Sequence, residues 1–477
     1  MYRRDFLKLA ARSSGIILMP SEVISLSKFI NMEDSYRRAD FGKDFMWGVA
    51  TAAYQIEGAK SYGGKSPSIW DVFTHKKGKI KGGDTGDIAC DFYNRYKEDL
   101  AMARYMGFEH FRFSTSWSRI LPYGSSELNS KGIGFYDRIV DECLEVGLKP
   151  WITLYHWDLP LYLHEKGGWT NRDIIYWFED YSRNVAKHLG DRVKHWMVLN
   201  EPMAFTGLGY LIGMHAPGYR SISKFKRAVH HAVLCQSIGS RVLRDEVQGA
   251  KIGSTFSCSA IHPSRANGKD DIAVRRVDAL LNRLFLEPAL GLGYPEDALP
   301  FLRRMRNVIQ PEDEAIMKAD LDFVGLQNYT REIVKSAWYI PLMKARYIPA
   351  KKRDVPITAM NWEIYPEGIY EMLKKFQSYK EIKEIIVTEN GVAFPDKLEN
   401  GVVNDQARID FYKAYLGQVL RAKNEGVNVT GYFPWTLMDN FEWAEGYHPR
   451  FGLIHVDFQT QERIIKNSGL WFRKLLN

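Results

Sequence analysis

Eight short runs rich in apolar and β-branched residues recur along the chain, at 45–51, 110–114, 149–156, 195–201, 251–257, 323–329, 385–390 and 428–435. Each has the length of a buried strand and stops at polar or ionisable residues. Between them, stretches at 92–106, 133–146, 173–189, 223–246, 367–377 and 405–424 carry apolar residues at helical spacing. Eight strand-then-helix units predict an α/β protein built as a single (β/α)8 barrel, with long loops at the C-terminal face of the strands. A doubly wound sheet is the competing reading. It calls for a glycine-rich first turn, whereas the first turn here reads Ala-Thr-Ala-Ala-Tyr-Gln-Ile-Glu-Gly at 50–58.

A barrel makes a sequence-level demand, because the last residues of every strand converge on one face. Strand four ends Leu199-Asn200-Glu201-Pro202 and strand seven ends Val387-Thr388-Glu389-Asn390-Gly391. Two carboxyls at one barrel mouth are what cleavage of a glycosidic bond requires: one protonates the departing oxygen, and the other attacks the anomeric carbon or activates water. Either Glu could instead cap a helix or sit in a loop. The neighbouring strand ends supply Arg112, Tyr329, Gln55 and His156, and strand eight leads into Trp435 and Asn440-Phe441-Glu442-Trp443. A cation beside one carboxyl would keep it ionised, as a nucleophile must be. Arg112 could equally close a core ion pair.

Composition narrows the class further. The chain has 477 residues, 45% apolar and 26% charged, with four Cys. Disorder, a disulfide scaffold and a collagen-like repeat are thereby excluded. Aromatic residues reach 13%, enough to suggest surfaces that stack on flat, half-apolar ligands such as sugars. The net charge is +8, but the basic runs are short and loop-like. They read as solvated surface, with no nucleic-acid-binding signature. Cys90, Cys143, Cys235 and Cys258 are scattered and are expected to be buried free thiols.

Residues 1–40 read as a leader and linker, with the catalytic barrel over 41–477. Arg3-Arg4 followed by Asp5-Phe6-Leu7-Lys8 resembles a twin-arginine export signal, which implies a periplasmic home; a cytoplasmic one is the alternative. No run approaches the length of a membrane span.

Several familiar motifs fail. Gly64-Lys65-Ser66 lacks the earlier glycine of a phosphate-binding loop, and no Gly-x-Ser-x-Gly elbow or His-Glu-x-x-His helix occurs. His230, His231 and His262 lie outside any metal-ligand spacing. Neither a cofactor nor a metal is expected.

The segments that remain are long and ordered: FMWGVATAAYQIEG, FRFSTSWSRILP, LYHWDLP, LNEP, VTENG and FPWTLMDNFEWAEGYHPRFGLIHVDF. With them the chain resembles the family-one glycoside hydrolases, the retaining β-glucosidases and their relatives, from about residue 41 to the C-terminus. That resemblance implies a two-step mechanism in which Glu389 forms a covalent glycosyl-enzyme and Glu201 serves as acid and then base. It also implies that Arg112 and Tyr329 contact the nucleophile and that Asn200 contacts the sugar 2-hydroxyl. Gln55, His156, Trp435, Glu442 and Trp443 would hold the terminal sugar, and Trp362 would form a platform under the leaving group.

Members acting on 6-phosphorylated sugars usually lack the Glu found here as Glu442, so a neutral hexose is expected. Thioglucoside-cleaving members carry Gln in place of the acid, here Glu201. The family pattern Leu-Asn-Tyr-Tyr is replaced by Leu326-Gln327-Asn328-Tyr329, so Gln327 stands where Asn is usual and enters the site as an altered sugar or nucleophile contact. The expected substrate is a small β-glycoside or oligosaccharide with a terminal glucosyl group, with galactosyl or fucosyl also open. A transglycosylase on the same site and a catalytically silent sugar-binding protein remain as alternatives, and the oligomeric state is not readable.

Overall fold

The computed structural model describes residues 36–125 and 127–477. Arg3 and Arg4, which carry the export reading, lie outside the described residues. Eight parallel strands close into a barrel in chain order: β1 (Met46–Ala50), β2 (His110–Ser114), β3 (Lys149–Tyr155), β4 (His195–Asn200), β5 (Lys251–Ser257), β6 (Phe323–Gln327), β7 (Ile385–Asn390) and β8 (Val429–Pro434), with β8 pairing back onto β1. The expected (β/α)8 barrel is the observed fold. Five of the predicted runs extended one or two residues too far at their C-terminal ends, to Thr51, His156, Glu201, Tyr329 and Trp435. His156, Glu201 and Tyr329 have left the ladder and turn over the barrel mouth, while Trp435 keeps a single bridge to Ala50.

Around the barrel lie α1 (Phe92–Tyr105), α2 (Ser130–Glu145), α3 (Ile174–Leu189), α4 (Ile222–Glu246), α5 (Gly268–Asp278), α6 (Glu367–Gln377), α7 (Gln406–Asn424) and α8 (Asn467–Leu476). Capping is local and legible: the side chain of Asn129 accepts from the Lys131 N–H at the start of α2, and that of Ser221 accepts from the Lys224 N–H at α4.

The barrel interior is filled from below. Trp151 packs against Phe433 at 5.0 Å and Phe323 at 5.7 Å, stacks on His195 at 4.2 Å, and donates its indole N–H to His110 Nδ1 at 2.8 Å. Burial holds both histidines neutral, His110 pushed down to about 3 and His195 to about 4. The plug needs space on the strands themselves. A Cβ at Gly48 would lie 2.1 Å from the Phe433 ring, and one at Gly253 would lie 2.4 Å from Phe323. Small residues at these points let large rings cross the barrel.

Three small sheets among the described residues lie outside the eight-unit pattern, one of them the short hairpin of Leu398–Glu399 and Val402–Val403. A three-stranded sheet joins Ala260–Pro263, Arg331–Ser336 and Ala345–Tyr347, and a hairpin pairs Ile454–Val456 with Arg463–Ile465. The strand Arg331–Ser336 follows β6 so closely that its apolar positions merge with the preceding run. Just before α8, the fully buried ammonium of Lys466 lies 2.5 Å from Asp396 and 2.6 Å from Asp439. Arg450 also binds Asp439 at 2.6 Å, and Arg408 binds Asp396 at 2.7 Å. This buried network fixes the start of the loop that carries Asn440 to Trp443.

Candidate active site

Arg112 stands at the centre of β2, fully buried, and four of its N–H groups are used. Nη1 donates to Glu389 Oε1 at 2.5 Å and to the Thr388 carbonyl at 3.2 Å, Nε donates to Thr153 Oγ1 at 3.2 Å, and Nη2 donates to Asn200 Oδ1 at 2.5 Å. The second oxygen of Glu389 accepts from the Tyr329 hydroxyl at 2.6 Å. Burial pushes the Glu389 carboxyl up from its ordinary value, while the guanidinium and the phenol hydrogen bond pull it back down. Both contacts favour the ionised form.

Asn200 joins three strands. Its Oδ1 accepts from Arg112, from Thr255 Oγ1 at 2.9 Å and from Gln327 Nε2 at 2.9 Å, so the amide orientation is fixed. The Nδ2 group therefore donates to His156 Nε2 at 3.0 Å. That leaves the His156 proton on Nδ1, which has no partner within the described residues. Burial and the nearby Arg112 hold this imidazole neutral, well below its ordinary value. Gln55, on the turn after β1, donates Nε2 to Asn440 Oδ1 at 3.0 Å and to the Phe441 carbonyl at 2.9 Å, with its own Oε1 unpartnered and buried.

Glu201 is built differently. It leaves β4 in the left-handed region at φ 44°, with its N–H bonded to the Thr255 carbonyl at 3.0 Å and Pro202 starting a short helix behind it. A non-glycine residue held there is strained, and the strain aims its side chain into the barrel mouth. Its carboxyl is pushed up to about 8, first by burial and second by the charge of Glu389, against smaller opposing contributions from the Ser257 hydroxyl and Arg112. The two strand-end carboxyls thus occupy contrasting surroundings, one salt-bridged and one dry beside a negative charge. Glu442 is likewise pushed up to about 8, by burial and then by Glu389 and Glu445.

These groups open onto a cavity of about 460 Å³ at the C-terminal face of the barrel. Trp435, Trp443 and Trp362 line it. Trp443 rests on Trp157 at 4.5 Å and Trp70 at 4.6 Å, and Trp362 lies 5.5 Å from the Tyr329 ring. The charged side chains among its described lining residues are Glu201, Glu332, Glu389, Glu442 and Glu445, with no Lys or Arg. Among the described residues no group of three or more His, Cys, Asp or Glu is placed to hold a metal ion.

The structure brings the sequence-predicted residues together at one mouth, with a division among them. His156, Glu201, Tyr329, Trp362, Glu389, Trp435, Glu442 and Trp443 line the cavity, whereas Gln55, Arg112, Asn200 and Gln327 lie behind the lining, fully buried. Gln327 Nε2 donates to Asn200 Oδ1, and Gln327 stands beside Glu389 as its register partner on the adjoining strand. Sequence reasoning missed Thr153, Thr255 and Trp157, whose indole N–H donates to the Asn200 carbonyl at 2.9 Å. Thr255 is the register partner of Asn200, a signal readable once the barrel pairing is known. The four cysteines are buried free thiols, as expected.

Comparison with known proteins matches this geometry to one family. The sequence profile of glycosyl hydrolase family 1 covers residues 37–477. Beta-glucosidase A of Thermotoga maritima is 46% identical over 438 residues, 91% of this chain and 97% of that one. A 1,4-beta-D-glucan glucohydrolase of Thermotoga neapolitana is 46% identical over 91% of this chain and 98% of its own. The solved structure of the Thermotoga maritima beta-glucosidase in complex with deoxynojirimycin superposes with a TM-score of 0.88 at 46% identity, covering 91% of this chain and 98% of that chain. A closed parallel barrel with two differently tuned glutamates at its mouth, matched over nearly its whole length to these enzymes, places the chain in glycosyl hydrolase family 1.

Proposed function

We propose that the protein is a retaining exo-β-glucosidase that removes terminal non-reducing β-D-glucosyl residues, with tolerance for galactosyl or fucosyl groups. The observation that carries this reading is the asymmetry of the two carboxyls. Glu389, held by Arg112 and Tyr329, attacks the anomeric carbon and forms a glycosyl ester. Glu201, kept protonated at neutral pH, gives its proton to the departing oxygen. With the leaving group gone, Glu201 is the base that takes a proton from water, which then displaces Glu389 from the sugar.

The glucosyl group lies among His156, Trp435, Glu442 and Trp443, and Asn200, held in one orientation, presents its remaining amide proton toward the 2-hydroxyl. Gln55 holds the loop that carries Glu442. Five glutamates and no lysine or arginine among the described lining residues favour a neutral sugar over a phosphorylated one. The names of the relatives, β-glucosidase and glucan glucohydrolase, support the same reading. The leader pattern at Arg3-Arg4 supports export to the periplasm in the folded state.

The test is hydrolysis of p-nitrophenyl β-D-glucoside by wild type, Glu389→Ala and Glu201→Ala. Each variant is expected to lose about 10⁴-fold or more in kcat. Azide should rescue Glu389→Ala with an α-glucosyl azide as product, because only the vacated nucleophile face is open. A β-azide from that variant, or a wild type inert on a panel of aryl β-glycosides, would overturn the proposal.

A further inference from the structure

One carboxyl in the cavity has no part in the chemistry above. Glu332 lies on Arg331–Ser336, the middle strand of the small sheet that the barrel pattern did not foresee, and it lines the same cavity as the two strand-end glutamates. No hydrogen bond or ion pair holds its carboxyl among the described residues, although its neighbours in sequence and space are firmly tied. Arg331 grips Glu363 through two contacts at 2.7 and 2.9 Å, Arg353 grips the same carboxylate at 2.6 Å, and Thr330 Oγ1 donates to the Glu363 carbonyl at 3.0 Å.

Side chains alternate along a strand, so while Arg331 is spent on Glu363, Glu332 is left to the other face. The same ion pairs fasten its strand to the loop carrying Trp362, since Glu363 follows Trp362 in the chain. The cavity it lines also presents the apolar side chains of Met203, Leu281, Met360 and Trp362. Burial and the neighbouring Glu363 push the Glu332 carboxyl up to about 7, against the charge of Arg353, and no hydrogen bond reaches it among the described residues.

A flat apolar wall with one unsatisfied carboxyl at its side fits a sugar ring better than an aryl group. The ring's C–H face rests on Trp362 and Met360, and a hydroxyl pair on its edge donates to the carboxyl. We propose that Glu332 is a specificity-determining residue on the leaving-group side, which selects a saccharide over an aryl aglycone by accepting hydrogen bonds from hydroxyls of the second sugar. This rests on the β-glucosidase reading and deepens it.

The experiment compares kcat/KM for cellobiose and for p-nitrophenyl β-D-glucoside in wild type, Glu332→Ala and Glu332→Gln. Loss of one or two hydrogen bonds to a charged acceptor lowers the cellobiose-to-aryl ratio about 10- to 100-fold in Glu332→Ala, expressed as a higher KM for cellobiose. Glu332→Gln keeps the shape and one acceptor oxygen, so its ratio falls between the two, and it serves as the reading if the alanine variant does not fold. A ratio that falls less than fivefold in Glu332→Ala, or is unchanged in Glu332→Gln where the alanine variant does not fold, overturns the proposal. Wild type inert on both substrates would instead overturn the β-glucosidase reading, so the two failures are distinguishable.

Discussion

Proton placement is the task of single residues here. A carboxyl pushed up to about 8 is mostly protonated at neutral pH, so in the proposed mechanism Glu201 is poised as the acid, and activity should fall as pH rises through that value. Part of the shift comes from Glu389. Replacing Glu389 with Gln removes a like charge, so Glu201 should titrate at lower pH than in the wild type. Titration of ¹³C-labelled glutamate carboxyls by NMR checks this, and an unchanged or higher midpoint for Glu201 contradicts the coupling. The two glutamates and Arg112 were legible in the sequence because strand ends and inward positions can be counted. The fixing of Asn200 by Thr255 and Gln327 was not, since hydrogen bonds between strands depend on register. Gln327 in particular reads as a contact to sugar or nucleophile from its position, and the hydrogen bond from its Nε2 to Asn200 became visible only with the structure.

Elements are held in place by charge as well as by burial. Lys466, fully buried ahead of α8, lies between Asp396 and Asp439. Lys466→Met would leave carboxylates buried with fewer cations, which costs about 3–5 kcal/mol where a buried pair is broken from one side. Thermal unfolding should show a clear drop in Tm. Because Asp439 begins the segment to Trp443, KM for aryl glucosides should rise as well; an unchanged Tm would show that the network contributes little. The eight strands were predictable from apolar runs of strand length, and their C-terminal ends were overrun where functional side chains leave the ladder. Nothing in the periodicity separated Arg331–Ser336 from β6, so the sheet bearing Glu332 escaped notice. A short strand with three charged residues carries no apolar pattern of its own.

At the scale of the whole molecule, charge is distributed unevenly. The net charge of +8 lies elsewhere, because no lysine or arginine is among the described residues lining the cavity. Net charge therefore says little about the substrate, whereas the local field at the mouth does. The export proposal also belongs to this scale. Fractionation of cells expressing the full chain should place activity in the periplasm and shift it to the cytoplasm in an Arg3→Lys, Arg4→Lys double variant; wild-type activity found wholly in the cytoplasm would remove the proposal.

The plug of Trp151, Phe323 and Phe433 has a last consequence, for the order of traffic. With the barrel plugged from below by these rings, the cavity opens at the C-terminal face of the strands, and in the proposed two-step mechanism the leaving group stands between the glucosyl unit and that face. The first product must walk out before water can walk in, and the freed glucose leaves by the path the next substrate needs. On that reading the enzyme works as a one-lane street, in which accumulated glucose holds up the queue by standing in the path of the next substrate.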